Sequence, residues 1–284
     1  MTGGTVTVGE VDGLRFATLG RPDAPRKVLM FMGFLACVEA FELQRFTLLS
    51  EIWDARVTVV DAPGCGYGSG RLRSSERRAL RRGDFTAVAD RMVAVALTAK
   101  PDLGRGPVTI VGYSMGSSIA AAAAGSQALR VDNLTLVEPV AVKRWNLPRL
   151  VHATRNEDKV LDEYLDRNND IPQVVIPLQR RDETPPQQSR TDLAHLGFAL
   201  SRGYLAVDVQ RAHRTHRFAM QLVHGARSRL AGCCDVARFA QQCRDDGVAT
   251  DDIVVHGRHA LWHSLPDVAH LARATMSRWT AAPS

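Results

Sequence analysis

The chain has 284 residues, a formal net charge of +6, a pI near 9.4, 45% hydrophobic and 23% charged residues. That composition is ordinary for a globular protein, and the length suits one large domain or one domain with an insertion. No long apolar run is present, which argues against a membrane span; the opening MTGGTVTVGE has neither the basic nor the apolar segment of a secretory leader, and Thr2 rules out N-myristoylation.

In chain order, TVTV (5–8) and LRFAT (14–18) read as an opening hairpin. KVLMFM (27–32), VTVV (57–60), VTIVG (108–112), LTLV (134–137), MQLVHG (220–225) and DIVV (252–255) read as buried strands. Each is short, apolar or β-branched, and followed by a turn signal. Helical patterns fall at about 38–52, 84–99, 115–128, 235–246 and 266–280. The alternation predicts an α/β fold: a mostly parallel eight-stranded sheet with helices on both faces and right-handed crossovers.

The rhythm breaks once. Residues 138–219 separate LTLV from MQLVHG, far more than one crossover helix needs. Asp166 to Asp170 and DETPPQQ (182–188) are polar, the latter punctuated by proline, while apolar positions around Val151–Leu165 and Leu193–Val209 recur at helical spacing. The expectation is a core of 1–139 and 219–284, with 140–218 as a helical cap insertion packed over the sheet.

Cys37, Cys65, Cys233, Cys234 and Cys243 are odd in number and match no zinc spacing. Reduced thiols, a cytoplasmic location and no metal are expected. The positive charge is densest in RLRSSERRALRR, where Arg71, Arg73, Arg77, Arg78, Arg81 and Arg82 stand. An anionic partner is one reading. With no interleaved aromatics and no nucleic-acid motif, the favoured one is a solvated face and no nucleic-acid binding.

Chemistry concentrates in Gly112-Tyr113-Ser114-Met115-Gly116, a G-x-S-x-G string between a predicted strand and a predicted helix. So sharp a turn strains the serine backbone and needs neighbours without side chains. The hydroxyl then projects at a helix N-terminus, where unpaired N–H groups and a partial positive charge face a developing oxyanion. Ser114 is therefore the candidate nucleophile.

Over about 25–140 and 218–280 the chain resembles the α/β-hydrolase superfamily, with the insertion in the position of that family's cap. Three further stretches carry the resemblance. VLMFMGFLA has Gly33-Phe34 after the third strand, with Met32 where the family usually has histidine. The resemblance implies that the Phe34 N–H pairs with the Met115 N–H as an oxyanion hole. VVDAPGCGYGSG (59–70) is similar to the family's D-x-P-G segment, which implies a structural role for Asp61. HGRHALWHSLPD (256–267) looks like the family's G-x-H end motif and implies His259 as the base. His263 is the second choice, while His256 and His224 have loop and structural readings.

The acid departs from the family pattern. Its usual position, after the seventh strand, holds Ser228, which cannot supply a negative charge. Glu138, directly after LTLV, is the first substitute; Asp235 is the second; a site without an acid stays open. The resemblance implies a serine hydrolase, carboxylesterase-like, that cleaves an ester or related acyl bond of a small, largely apolar substrate through an acyl-enzyme. No cofactor is implied, and the partner is the small-molecule acyl substrate. A catalytically inactive binding protein and an acyl transferase are the alternatives, and a homodimer is left open.

Overall fold

The computed structural model describes residues 5–66, 70–169 and 188–279. Strands β1 (Thr5–Val11) and β2 (Leu14–Gly20) pair antiparallel. They join through Asp12 and Gly13, both at positive φ, the backbone a two-residue hairpin turn requires. β3 (Arg26–Phe31), β4 (Ala55–Val60), β5 (Pro107–Tyr113), β6 (Arg130–Val137), β7 (Ala219–Gly225) and β8 (Thr250–Val255) complete an eight-stranded sheet of order β1-β2-β4-β3-β5-β6-β7-β8. β2 meets β4 antiparallel, and every pairing from β4 to β8 is parallel.

The central strands are buried on both faces, and alternate residues enter different cores. Val28 and Met30 of β3 join one cluster with residues of α1 (Ala40–Trp53) and α10 (Leu265–Met276). Leu29 and Phe31 join the other, with α3 (Thr86–Ala99), α4 (Met115–Ala123) and α9 (Cys233–Asp245). Ala120 to Ala124 are buried, so a helix without bulk lies close on the sheet.

One helix has no counterpart in the sequence pattern. α2 (Ser74–Leu80) buries only Glu76, Ala79 and Leu80, too short a stripe for periodicity to reveal. It carries part of the arginine cluster, and several of those cations are paired: Arg73 with Asp12 at 2.6 Å and Arg77 with Asp192 at 2.9 Å. Arg78, Arg81 and Arg82 are exposed.

Between β6 and β7 the described residues form α5 (Leu147–Asp158), α6 (Leu161–Asp166), α7 (Arg190–Ser201) and α8 (Leu205–Thr215). α8 packs on α4 at the flank of the sheet. α5 and α6 reach the strand ends: the Glu157 carboxylate accepts the Arg229 N–H, Tyr164 Oη accepts the Arg258 N–H, and Arg167 pairs with Asp267. Residues 182–187 of the proline-punctuated run lie outside the described residues, as does the end of the 266–280 helical pattern beyond Trp279. No helix among the described residues is long and apolar enough to cross a membrane.

Candidate active site

Ser114 stands between β5 and α4 with φ 55° and ψ −117°, a backbone that L-residues rarely adopt. Its flanking glycines are sterically required. A Cβ on Gly112 would lie 2.3 Å from the Gly116 carbonyl oxygen, and one on Gly116 would lie 2.1 Å from that of Phe31. The turn is pinned from below: Ser114 N–H donates to the Val137 carbonyl, and Ser117 Oγ donates to the carbonyls of Gly112 and Val137.

The hydroxyl of Ser114 lies 2.9 Å from His259 Nε2, and His259 Nδ1 lies 2.9 Å from Glu138 Oε2. An ionised carboxylate only accepts, so Nδ1–H donates to Glu138 and Nε2 is left to accept the serine proton. The order follows from the sheet. Ser114 follows β5, Glu138 follows its neighbour β6, and His259 follows β8, so all three collect beyond the carboxyl ends of parallel strands.

Glu138 is fully buried and sits at φ 52°. Its N–H donates to the Val223 carbonyl, extending the β6–β7 pairing by one residue. Its carboxylate then accepts the Gly225 N–H on Oε1 and the Ser228 hydroxyl, at 2.6 Å, on Oε2. Three donors hold a buried negative charge that would otherwise be costly. Sequence reasoning missed Ser228 as a partner of Glu138; its place at the position where the resemblance implies an acid was the signal.

His259 is held by what surrounds it. Tyr113 Oη donates to the His259 carbonyl at 2.8 Å, and the Tyr113 ring stacks against those of His259 and Trp262. The buried Arg45 guanidinium donates to the carbonyls of Trp262 and His263. Burial raises the Tyr113 phenol well above its ordinary range, with the Glu138 charge acting in the same direction, so Tyr113 stays a neutral donor.

The oxyanion donors expected at Phe34 and Met115 flank the serine. Met115 is the first residue of α4, where an N–H has no intrahelical acceptor. Gly33 packs so closely that a Cβ on it would lie 3.4 Å from Ser114 Cβ, which sets the Gly33–Phe34 backbone beside the hydroxyl. Above them opens a cavity of about 570 Å³; Phe34, Leu35, Leu147, Leu150 and Leu230 give it a mostly apolar lining, on which Arg155 and several carboxylates also stand.

The other candidates lie elsewhere. Asp235 pairs with Lys143 and Arg238, away from His259. His224 faces Asp252 at 3.1 Å, and His256 is exposed. His263 lines the cavity, but its Nδ1 donates to the Ala260 carbonyl. Asp61 is buried and accepts the Val38 N–H at 2.7 Å, beneath the loop that precedes α1. Among the described residues no cluster of His, Cys, Asp or Glu is arranged to hold a metal ion.

Residues 28–175 match the model of a family described as the alpha/beta hydrolase fold. No curated protein matches the chain in sequence. Among solved structures, the thioesterase domain from the curacin biosynthetic pathway superposes with a TM-score of 0.60 at 18% identity, over 97% of this chain and 100% of that one. A highly thermostable carboxyl esterase from Bacillus coagulans gives 0.60 at 14% identity, over 98% of each chain. A lipase in its open form gives 0.60 at 17% identity, over 97% of this chain and 99% of that one. At such identities the likeness establishes a shared fold.

Proposed function

This chain belongs to the alpha/beta hydrolase family, and from that premise we propose that it is a serine hydrolase cleaving an ester or related acyl bond of a small, largely apolar substrate. The observation that carries the reading is the unbroken relay from Ser114 Oγ through the His259 ring to Glu138, with 2.9 Å at each junction.

In this reading His259 Nε2 takes the proton of Ser114 as Oγ attacks the acyl carbon. The oxyanion forms against the N–H groups of Phe34 and Met115, and each such donor contributes about a hundredfold or more in rate. Glu138 stabilises the imidazolium, which then gives its proton to the departing alcohol. A water, deprotonated by His259, attacks the acyl-serine and releases the acid. These steps need no metal and no cofactor. The apolar cavity supports a largely apolar acyl group. We take 140–218 as a cap insertion on a core formed by 1–139 and 219–284, with α5, α6 and α7 lining the cavity and α8 returning against α4 at the sheet's flank. Five unbonded thiols suit a reducing compartment, and we place the protein in the cytoplasm.

Treatment with a fluorophosphonate ester tests the assignment. Wild-type protein should be modified on Ser114, and Ser114→Ala should escape labelling while its hydrolysis of p-nitrophenyl esters falls by about a thousandfold or more. A variant that keeps a substantial share of wild-type turnover, or a wild type that resists the label, removes the reading and leaves a binding protein on this scaffold.

A further inference from the structure

Glu42 is 4% exposed in the first turn of α1, yet it lines the same cavity as Ser114. Its Oε2 accepts the Trp262 indole N–H at 2.8 Å. Its other oxygen, Oε1, has no hydrogen-bond partner among the described residues. That oxygen is not among the fully buried unpaired atoms, so it opens on the cavity, where a ligand group or water meets it. Holding Trp262 needs only one of the two oxygens, and the relay of Ser114, His259 and Glu138 uses neither.

The surroundings narrow what could meet it. Trp262, Phe41 and Leu161 make this part of the cavity apolar. Arg45 lies beneath, committed to the carbonyls of Phe41, Trp262 and His263. His263 is on the cavity lining too, and since its Nδ1–H donates to the Ala260 carbonyl, its Nε2 is a bare acceptor. Burial pulls the His263 imidazole down to about 4, so it stays neutral. Burial pushes the Glu42 carboxyl up to about 7, against the Trp262 hydrogen bond and the Arg45 charge. His263 thus offers an acceptor to the cavity, and Glu42 Oε1 offers a second wherever the carboxyl is ionised, which above about pH 7 is the dominant form, so a donor is their complement there.

We propose that Glu42 is a specificity determinant whose Oε1 receives a hydrogen-bond-donating substituent, a hydroxyl or an amine, on an otherwise apolar acyl substrate. The proposal rests on the serine-hydrolase reading above and adds a polar subsite to it.

The test compares kcat/KM for p-nitrophenyl esters of matched acyl chains ending in a methyl, a hydroxyl or a primary amine, over several chain lengths. Wild type should favour a hydroxyl or amine terminus over methyl at one length. Glu42→Leu should lower that preference ratio by about tenfold or more, the worth of one good hydrogen bond to a charged group. Glu42→Gln separates the two sources: it keeps the preference for a hydroxyl and loses one for an amine. Should Glu42→Leu fail to fold, the Glu42→Gln pattern decides alone. No preference in wild type, an unchanged ratio in the variants, or an equal fall for all three esters overturns the proposal. Ser114 labelled by fluorophosphonate in a protein without the preference overturns this proposal alone, whereas an unlabelled Ser114 overturns the underlying reading with it.

Discussion

The Ser228 hydroxyl donates to Glu138 Oε2 at 2.6 Å, from the position where the family resemblance would place an acid. The buried carboxylate at the end of β6 thus takes a hydrogen bond from the loop after β7. Ser228 Oγ also accepts the Ala231 N–H at 3.0 Å, so the loop after β7 keeps its shape around this serine.

That arrangement predicts an exchange. Ser228→Ala should lower ester hydrolysis about tenfold with the fold intact, since Glu138 keeps the Gly225 and His259 donors. Ser228→Asp alone should be worse, because two carboxylates sharing one buried site cannot both ionise. Combined with Glu138→Gln it should regain activity over Glu138→Gln alone. Steady-state kinetics of the four proteins checks this, and a double variant no better than the single one refutes it.

Glu138→Gln should cut kcat by about a thousandfold or more, because an amide can fill the space but cannot stabilise an imidazolium. Asp235→Asn should stay within about threefold of wild type, because Asp235 serves a partly exposed ion pair with Lys143. Reversed outcomes would move the acid to Asp235.

Two glycines should answer the same substitution oppositely. Gly116→Ala forces a Cβ within 2.1 Å of the Phe31 carbonyl oxygen and should lower the melting temperature sharply or abolish soluble protein. A Cβ on Gly197, within α7, would point into open space with no neighbour inside 4 Å, and Gly197→Ala should stabilise by about 0.5–1 kcal/mol. Thermal unfolding of both variants reads the contrast.

Asp208 in α8 is 1% exposed, and neither carboxyl oxygen has a hydrogen-bond partner among the described residues. Burial pushes its carboxyl up from 3.8 to about 7, against the pull of Arg211. The folded value exceeds the unfolded one, so as pH rises the unfolded chain loses this proton first. Stability from this group is therefore full below about pH 4 and drains until about pH 7, by up to about 4 kcal/mol. Asp208→Asn should lack that loss, and its melting temperature relative to wild type should rise between pH 4 and pH 7. A constant difference across the window would contradict the assignment.

The eight strands and the Ser114 turn were legible in the sequence because their causes are local. Apolar β-branched runs closed by turn residues mark strands, and only glycine fits at 112 and 116, where backbone passes backbone. His259 could be named because the stretch after the last strand resembles the family's G-x-H end motif. α2 was not legible, since seven residues with three buried positions leave no periodic stripe. Nor was the choice between Glu138 and Asp235. Both follow strands, and both are acids. What separates them is the spatial order of β6, β7 and β8, which sets Glu138 Oε2 2.9 Å from His259 while Asp235 turns to Lys143. Hydrogen bonding falls off within a fraction of an ångström, and residues 121 positions apart acquire that precision only when parallel strands stack in register and bring their carboxyl ends to one edge.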